Sequence, residues 1–212
     1  LDKTYYRTLA HNIYQLKGAG EVIRALQESG IPVMVLKGAA LLETVYSDIG
    51  MRPMADIDLL VSSCNLNKAE NILRELSFSL APTGELHYFK RHGSLFTQID
   101  LHWDIWYVKE IKEVWHSAIK TKVGNVETLI LSPEDAIIYI IAHSTVHHGM
   151  LRDVWVEDIL RLIDHYKSLN WDEVIEKVNN YNMNVPVFYF FSWLKRLGNG
   201  SPIPPNVMNR LV

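Results

Sequence analysis

Apolar positions change period several times along the chain, and each change predicts an element. Residues 5–28 place Ile13, Leu16, Gly20, Ile23 and Leu26 near one face of a 3.6-residue repeat, which predicts a helix kinked around Gly18-Ala19-Gly20 and closed by Ser29-Gly30. Residues 33–36 after Pro32 form a short apolar, β-branched run, the mark of a buried strand. Lys37-Gly38 then reads as a sharp turn and residues 39–46 as a short helix with Leu41, Leu42, Val45 and Tyr46 on one face. Gly50 and Pro53 break that pattern, and residues 56–61 predict a second strand. Asn65 or Asn67 caps a helix running to about residue 76. Residues 86–90 and 94–102 alternate as two strands of a hairpin joined by Arg91-His92-Gly93, residues 104–122 read as irregular or partly helical, and residues 126–131 as one more strand. Ser132-Pro133-Glu134 is a strong helix start, with serine as cap and proline at the first helical position. Beyond it only helical periods follow, at 133–148, 151–166, 171–180 and 186–197. The expected class is α+β: a mixed sheet with flanking helices over residues 1–131, then a helical lobe over 132–212.

Alternation also fixes which polar side chains meet. Residues two apart on a strand share a face, so Asp56 and Asp58 project together while Ile57 and Leu59 point the other way. On the later strand the same rule puts Gln98, Asp100 and His102 on one face. Two carboxylates a few ångströms apart repel unless a proton or a cation lies between them, and Mg²⁺ takes oxygen ligands of this kind.

A strand, a glycine turn opening a helix and Asp-x-Asp on the next strand resemble the polymerase-β-like nucleotidyltransferase superfamily. The runs LKGAALLETVY, RPMADIDLLV and IDLHW resemble a bacterial family of uncharacterised nucleotidyltransferases, chiefly over residues 31–103. The single cysteine suits a reducing, cytoplasmic setting, and the resemblance implies a Mg²⁺-dependent enzyme, with Mn²⁺ as the alternative metal, that moves NMP from an NTP to a hydroxyl or phosphate of an acceptor. A small molecule, a protein and an RNA are all open as that acceptor. It implies Asp56 and Asp58 as metal ligands and Asp100 as the third catalytic carboxylate. Two metals about 3.5–4 Å apart commonly serve such chemistry. Gly38, Ala39 and the start of the following helix would receive the phosphates, helped by Lys37 and Arg52. Ala39 stands where the superfamily usually has serine, and Asp56 lies 18 positions after Gly38, a longer gap than usual. These departures motivate a second reading, a nucleotide-binding regulatory module that has lost transfer. A toxin-type transferase acting on tRNA or protein is a third, although a net charge of −3 offers little for tRNA phosphates.

Each assignment has a structural rival. The rival readings are strand acids that merely face solvent, Lys37 as a solvated lysine, Gly38 as only a turn residue, and Arg52 as the partner of Asp48. His102 is expected at the cleft, as metal or substrate contact or as a hydrogen-bonded structural residue. His143 and His147, four apart with His148 adjacent, share a helix face; they either pack along the cleft or grip a transition metal. Ser144 replaces the glutamate of H-E-x-x-H, so a metalloprotease base is lacking. The aromatic run 188–191 reads as core or as a partner face. Cys64 is the single cysteine, which rules out an internal disulfide, and no apolar run is long enough to span a bilayer. A chain opening at Leu1 and closing at Val212 is expected of a segment of a longer protein.

Overall fold

The structure is a computed structural model that describes residues 2–82, 85–93, 95–149, 152–197 and 202–211. The chain runs α1 (Lys3–Glu28), β1 (Met34–Val35), α2 (Lys37–Thr44), β2 (Ile57–Leu60), a 3₁₀ turn (Ser63–Asn65), α3 (Leu66–Glu75), β3 (Ser79–Leu80), β4 (His87–His92), β5 (Leu95–His102), α4 (Ile111–Ser117), β6 (Ile119–Val123) and β7 (Val126–Ile130). It continues with α5 (Pro133–Ala142), a π-helical turn (His143–His147), α6 (Asp153–His165), α7 (Trp171–Asn180), α8 (Asn184–Arg196) and α9 (Pro205–Asn209). Two compact units result, one of residues 1–105 with 118–130 and one of 106–117 with 131–212. No helix among the described residues is long and apolar enough to cross a membrane.

The first unit is a mixed sheet of strand order β3-β4-β5-β2-β1-β7-β6. The pairs β2–β5 and β1–β7 are parallel and the others antiparallel. The central strands are short and buried throughout, which is why they read as apolar runs rather than as alternation. Across the sheet α1 lies close through two glycines. A Cβ on Gly18 would come 2.5 Å from the Thr97 side chain, and one on Gly20 would come 2.4 Å from the Gly124 carbonyl. These glycines serve close approach, so α1 runs unbroken through the predicted kink. Ile13, placed on its apolar face by periodicity, is 49% exposed, whereas Asn12 and Gln15 are fully buried.

Other elements differ from expectation for local reasons. The stretch expected to be irregular contains α4 and the edge strand β6, which pairs with β7 across Gly124-Asn125. Both turn residues are left-handed (φ 56° and 64°), the geometry of a tight two-residue hairpin. Asn65 sits at the start of α3 but donates to Ser62 Oγ at 2.9 Å instead of capping the helix. Ser94 and Leu151, expected to open a strand and a helix, lie outside the described residues.

The second unit is helical. Ser132 caps α5 as its sequence implied, accepting from Asp135 N at 3.1 Å. The buried Asp135 carboxylate in turn accepts from Ser117 Oγ at 2.6 Å, Ser132 Oγ at 2.8 Å and Lys177 Nζ at 2.7 Å. Ser117, at the end of α4, is thereby tied to α5, consistent with residues 106–117 grouping with the helices. Phe190 and Phe191 fill this unit's core, while Phe188 and Tyr189 face outward.

Candidate active site

The parallel pairing of β2 with β5 sets Asp58 directly opposite Asp100 and Leu60 opposite His102. Side chains paired across strands share a face, so Asp58 and Asp100 project together. Asp56 stands just before β2 on the same alternation. Both Asp58 and Asp100 are buried, at 2% and 8% exposure.

The three carboxyls have different environments. Burial alone would push Asp58 up, but the Lys37 ammonium and His102 outweigh it and hold the carboxyl well below the usual carboxylate range. Lys37 Nζ lies 2.6 Å and His102 Nε2 3.0 Å from Asp58 Oδ1. Asp56 is raised to about 6, by burial first and then by the charges of Asp58 and Asp100, against a smaller opposing pull from Lys37. Asp100 is also raised, by burial and by Asp58, although the Gln98 hydrogen bond, His87 and His102 resist the change. Gln98 Nε2 donates to Asp100 Oδ1 at 3.2 Å, and His87 Nε2 lies 3.4 Å from Oδ2. Among the described residues, the acids do not fall into a set whose donor atoms all lie within 4.8 Å; the set is open and linked through its field.

The glycine corner adjoins this set. Leu36 N donates to Asp58 O at 2.9 Å, which fixes the end of β1 beside β2. The left-handed residue at the corner is Lys37 (φ 44°), not Gly38, and α2 begins at Lys37 itself. This turn, costly for a residue with a Cβ, swings the lysine onto Asp58. Gly38 lets Arg52 approach closely: a Cβ there would come 2.6 Å from Arg52 Nη1, so the guanidinium would have to shift. Arg52 is buried, with Nη1 3.3 Å from Pro53 O. Asp48, its expected partner, accepts from the Tyr5 hydroxyl at 2.9 Å and from Gly50 N at 2.8 Å. Ala39 is buried in the first turn of α2, and Leu36 at the N-cap position makes no side-chain cap bond.

Sequence reasoning missed the residues that hold the acids in place. Asn12 Nδ2 donates to Ile49 O and, at 2.7 Å, to Arg52 O. Gln15 Nε2 donates to Ala55 O at 2.6 Å, and Gln15 Oε1 accepts from Gln98 N at 3.1 Å. One side chain of α1 thus ties the residue before Asp56 to the strand carrying Asp100. The signal was present, since Asn12 and Gln15 interrupt the helix face that also carries Leu16, Ala19 and Ile23. His87 reaches Asp100 because the β4–β5 register sets them opposite. His143 and His147 belong to the second unit, where they group with each other and with His148.

Among solved structures, the chain is similar to ANT(2″)-Ia in complex with adenylyl-2″-tobramycin, at 16% identity over 81% of this chain and 99% of that chain, with a TM-score of 0.56. It is also similar to the solution structure of the antibiotic-resistance factor ANT(2″)-Ia (17%, 87% and 95%, TM-score 0.52). A third likeness is to an antigenic nucleotidyltransferase-like protein from Paracoccidioides brasiliensis (19%, 71% and 76%, TM-score 0.52). At these identities the likeness shows the fold, which is nucleotidyltransferase-like. No curated protein matches the chain in sequence. The family of uncharacterised nucleotidyltransferases matches residues 1–199, nearly the whole chain, and the protein belongs to that family.

Proposed function

We propose that the protein transfers NMP from an NTP to a hydroxyl or phosphate acceptor, using Asp56, Asp58 and Asp100. The observation that carries this reading is Asp58 paired opposite Asp100 with Asp56 on the same face, beside the Lys37 corner. The chemistry of the open acid set, rather than a closed ligand geometry, suits a hard divalent cation: the set is all carboxylate oxygen, and the raised proton affinity of Asp56 and Asp100 marks a site short of positive charge. Mg²⁺, or Mn²⁺ in its place, supplies charge neutralisation between these acids and the triphosphate when bound.

The chain's own groups account for the rest. Lys37, Arg52 and the N-terminal turn of α2 offer positive charge and N–H donors to the phosphates. Asp100, with its proton affinity raised and its oxygens oriented by Gln98 and His87, is suited to take the acceptor's proton. The acceptor oxygen then bonds the α-phosphorus as the bond to the departing pyrophosphate breaks. Asp58, kept ionised by Lys37 and His102, remains an anion throughout.

The adenylyl group on tobramycin in the ANT(2″)-Ia complex makes ATP with polyhydroxylated small molecules the first pair to test. Each labelled NTP is incubated with Mg²⁺ and an aminoglycoside panel, then with cell extract. Label should move to an acceptor with the wild type and fall at least a hundredfold with Asp58→Ala. Transfer unchanged in that variant would overturn the mechanism. Two observations favour a second reading, a nucleotide-binding module without transfer: Lys37 already engages Asp58, and Ala39 brings no hydroxyl. Calorimetric NTP binding that depends on Mg²⁺, with no product from any acceptor, would select it.

A further inference from the structure

We propose that His143, His147 and His148 form a site for a first-row transition-metal ion of the Zn²⁺ type, chemically distinct from the carboxylate set. Among the described residues, these three form the one group whose metal-ligating atoms all lie within 4.8 Å of one another.

The backbone explains why three histidines at these positions converge. In an α-helix, residue i+4 sits about 40° around the axis from residue i, and i+5 about 140° away. A regular continuation of α5 would therefore point His148 away from His143. Instead the helix widens after Ala142 into a π-helical turn, and His148 N donates to His143 O at 3.1 Å, an i to i+5 bond. The wider turn returns i+4 and i+5 to either side of i, and such turns often mark functional positions. The Ser144 and Thr145 hydroxyls both donate to Ile141 O, at 3.0 and 2.7 Å, and support the turn.

The ring geometry is near what a metal requires. Ring centroids lie 5.3 Å apart for His143–His147, 4.4 Å for His143–His148 and 4.8 Å for His147–His148. Tetrahedral Zn²⁺ with nitrogen at 2.0–2.1 Å sets neighbouring donors about 3.3 Å apart. His143 Nε2 and His148 Nε2 are already 3.1 Å apart, sharing a proton that a metal would replace. The buried Trp155 of α6 fixes both rings, meeting His143 edge-on at 5.2 Å and stacking on His148 at 5.1 Å. His147 and His148 are exposed, which gives an entering ion access. An all-imidazole set suits Zn²⁺, Ni²⁺, Co²⁺ or Cu²⁺ and discriminates against Mg²⁺. Three protein ligands leave a fourth position for water or an anionic group.

The test uses the full chain without an affinity tag, stripped of metal and titrated with Zn²⁺ against a chromophoric chelator. One equivalent should bind, unaffected by excess Mg²⁺, and Co²⁺ should give tetrahedral visible bands. His147→Gln and His148→Gln, both at exposed positions and checked for folding by circular dichroism, should each weaken binding at least tenfold. Asp58→Asn should leave Zn²⁺ affinity unchanged. No saturable Zn²⁺ binding, affinity unchanged in both histidine variants, or a loss in Asp58→Asn as large as theirs would each overturn the proposal.

Discussion

Three aspartates of one chemical type differ because each meets a different balance of burial and charge. Asp56 should titrate near pH 6 in carboxyl-detected NMR without divalent ions, and its midpoint should fall as Mg²⁺ is added. The sign of its effect on stability follows from proton counting. Between 3.8 and about 6 the folded state holds a proton that the unfolded state has released, so this group's contribution falls as pH rises through that window, by about 3 kcal/mol. Asp58 behaves oppositely, because its depressed value gives stability that is present above the unfolded carboxylate pKa and lost on acidification. Lys37→Met removes the ammonium from a buried carboxylate and should cost about 3–5 kcal/mol at pH 7. The loss should shrink on acidification, because burial no longer opposed by the ammonium lets Asp58 in the variant take up a proton sooner than in the wild type. Lys37→Gly should recover about 1 kcal/mol of that loss, since glycine relieves the left-handed backbone. Urea denaturation of the two variants at several pH values checks both statements.

At the scale of elements, the site depends on how α1 grips the loop before β2. Gln15 links Ala55 O to Gln98 N and so couples the positions of Asp56 and Asp100. Gln15→Met keeps volume but leaves two part-buried backbone groups, Ala55 O and Gln98 N, without this partner, which should cost about 1–2 kcal/mol in urea denaturation. If Gln15 also positions the acids, the variant should lose kcat while KM for the NTP stays nearly fixed. Legibility in the sequence followed the same physics. β1, β2, β5 and β7 were readable because buried strands are apolar runs and half-buried ones alternate. The facing of Asp58 and His102 needed only alternation plus the parallel register. β6 was missed although Ile119, Thr121 and Val123 alternate with lysines, because an edge strand carries charge that resembles a loop. The left-handed Lys37 has no local composition that announces it, and the Ser144 and Thr145 bonds to Ile141 O at the π-helical turn are of a kind that regular helices also carry. Asn12 and Gln15 escape a reading by periodicity, which counts apolar positions and is silent on polar residues that satisfy backbone carbonyls.

For the molecule as a whole, the two units each bury their own core, around β1, β2 and Leu26 in one and around α5, Phe190 and Val174 in the other. Native-state hydrogen exchange reads such regions separately, because amides open locally with their own free energies. Divalent-cation linkage therefore has a spatial signature here. An ion that binds only the folded acid set stabilises by RT ln(1 + [L]/Kd), about 2.7 kcal/mol at a hundred times Kd. The carboxylates sit on β2, β5 and the residue before β2, and all belong to the sheet unit. Mg²⁺ should thus slow exchange about a hundredfold at the β2 and β5 amides, where opening breaks the site. Exchange in α5, α7 and α8 should change much less. Asp100→Asn removes one charge from the set without altering its volume, so it should abolish the Mg²⁺ effect while leaving protection in the metal-free protein nearly intact. Equal protection of sheet and helices by Mg²⁺, or an effect that persists in Asp100→Asn, would place the divalent ion away from the acids and remove the chemical basis for nucleotidyl transfer at this face of the sheet.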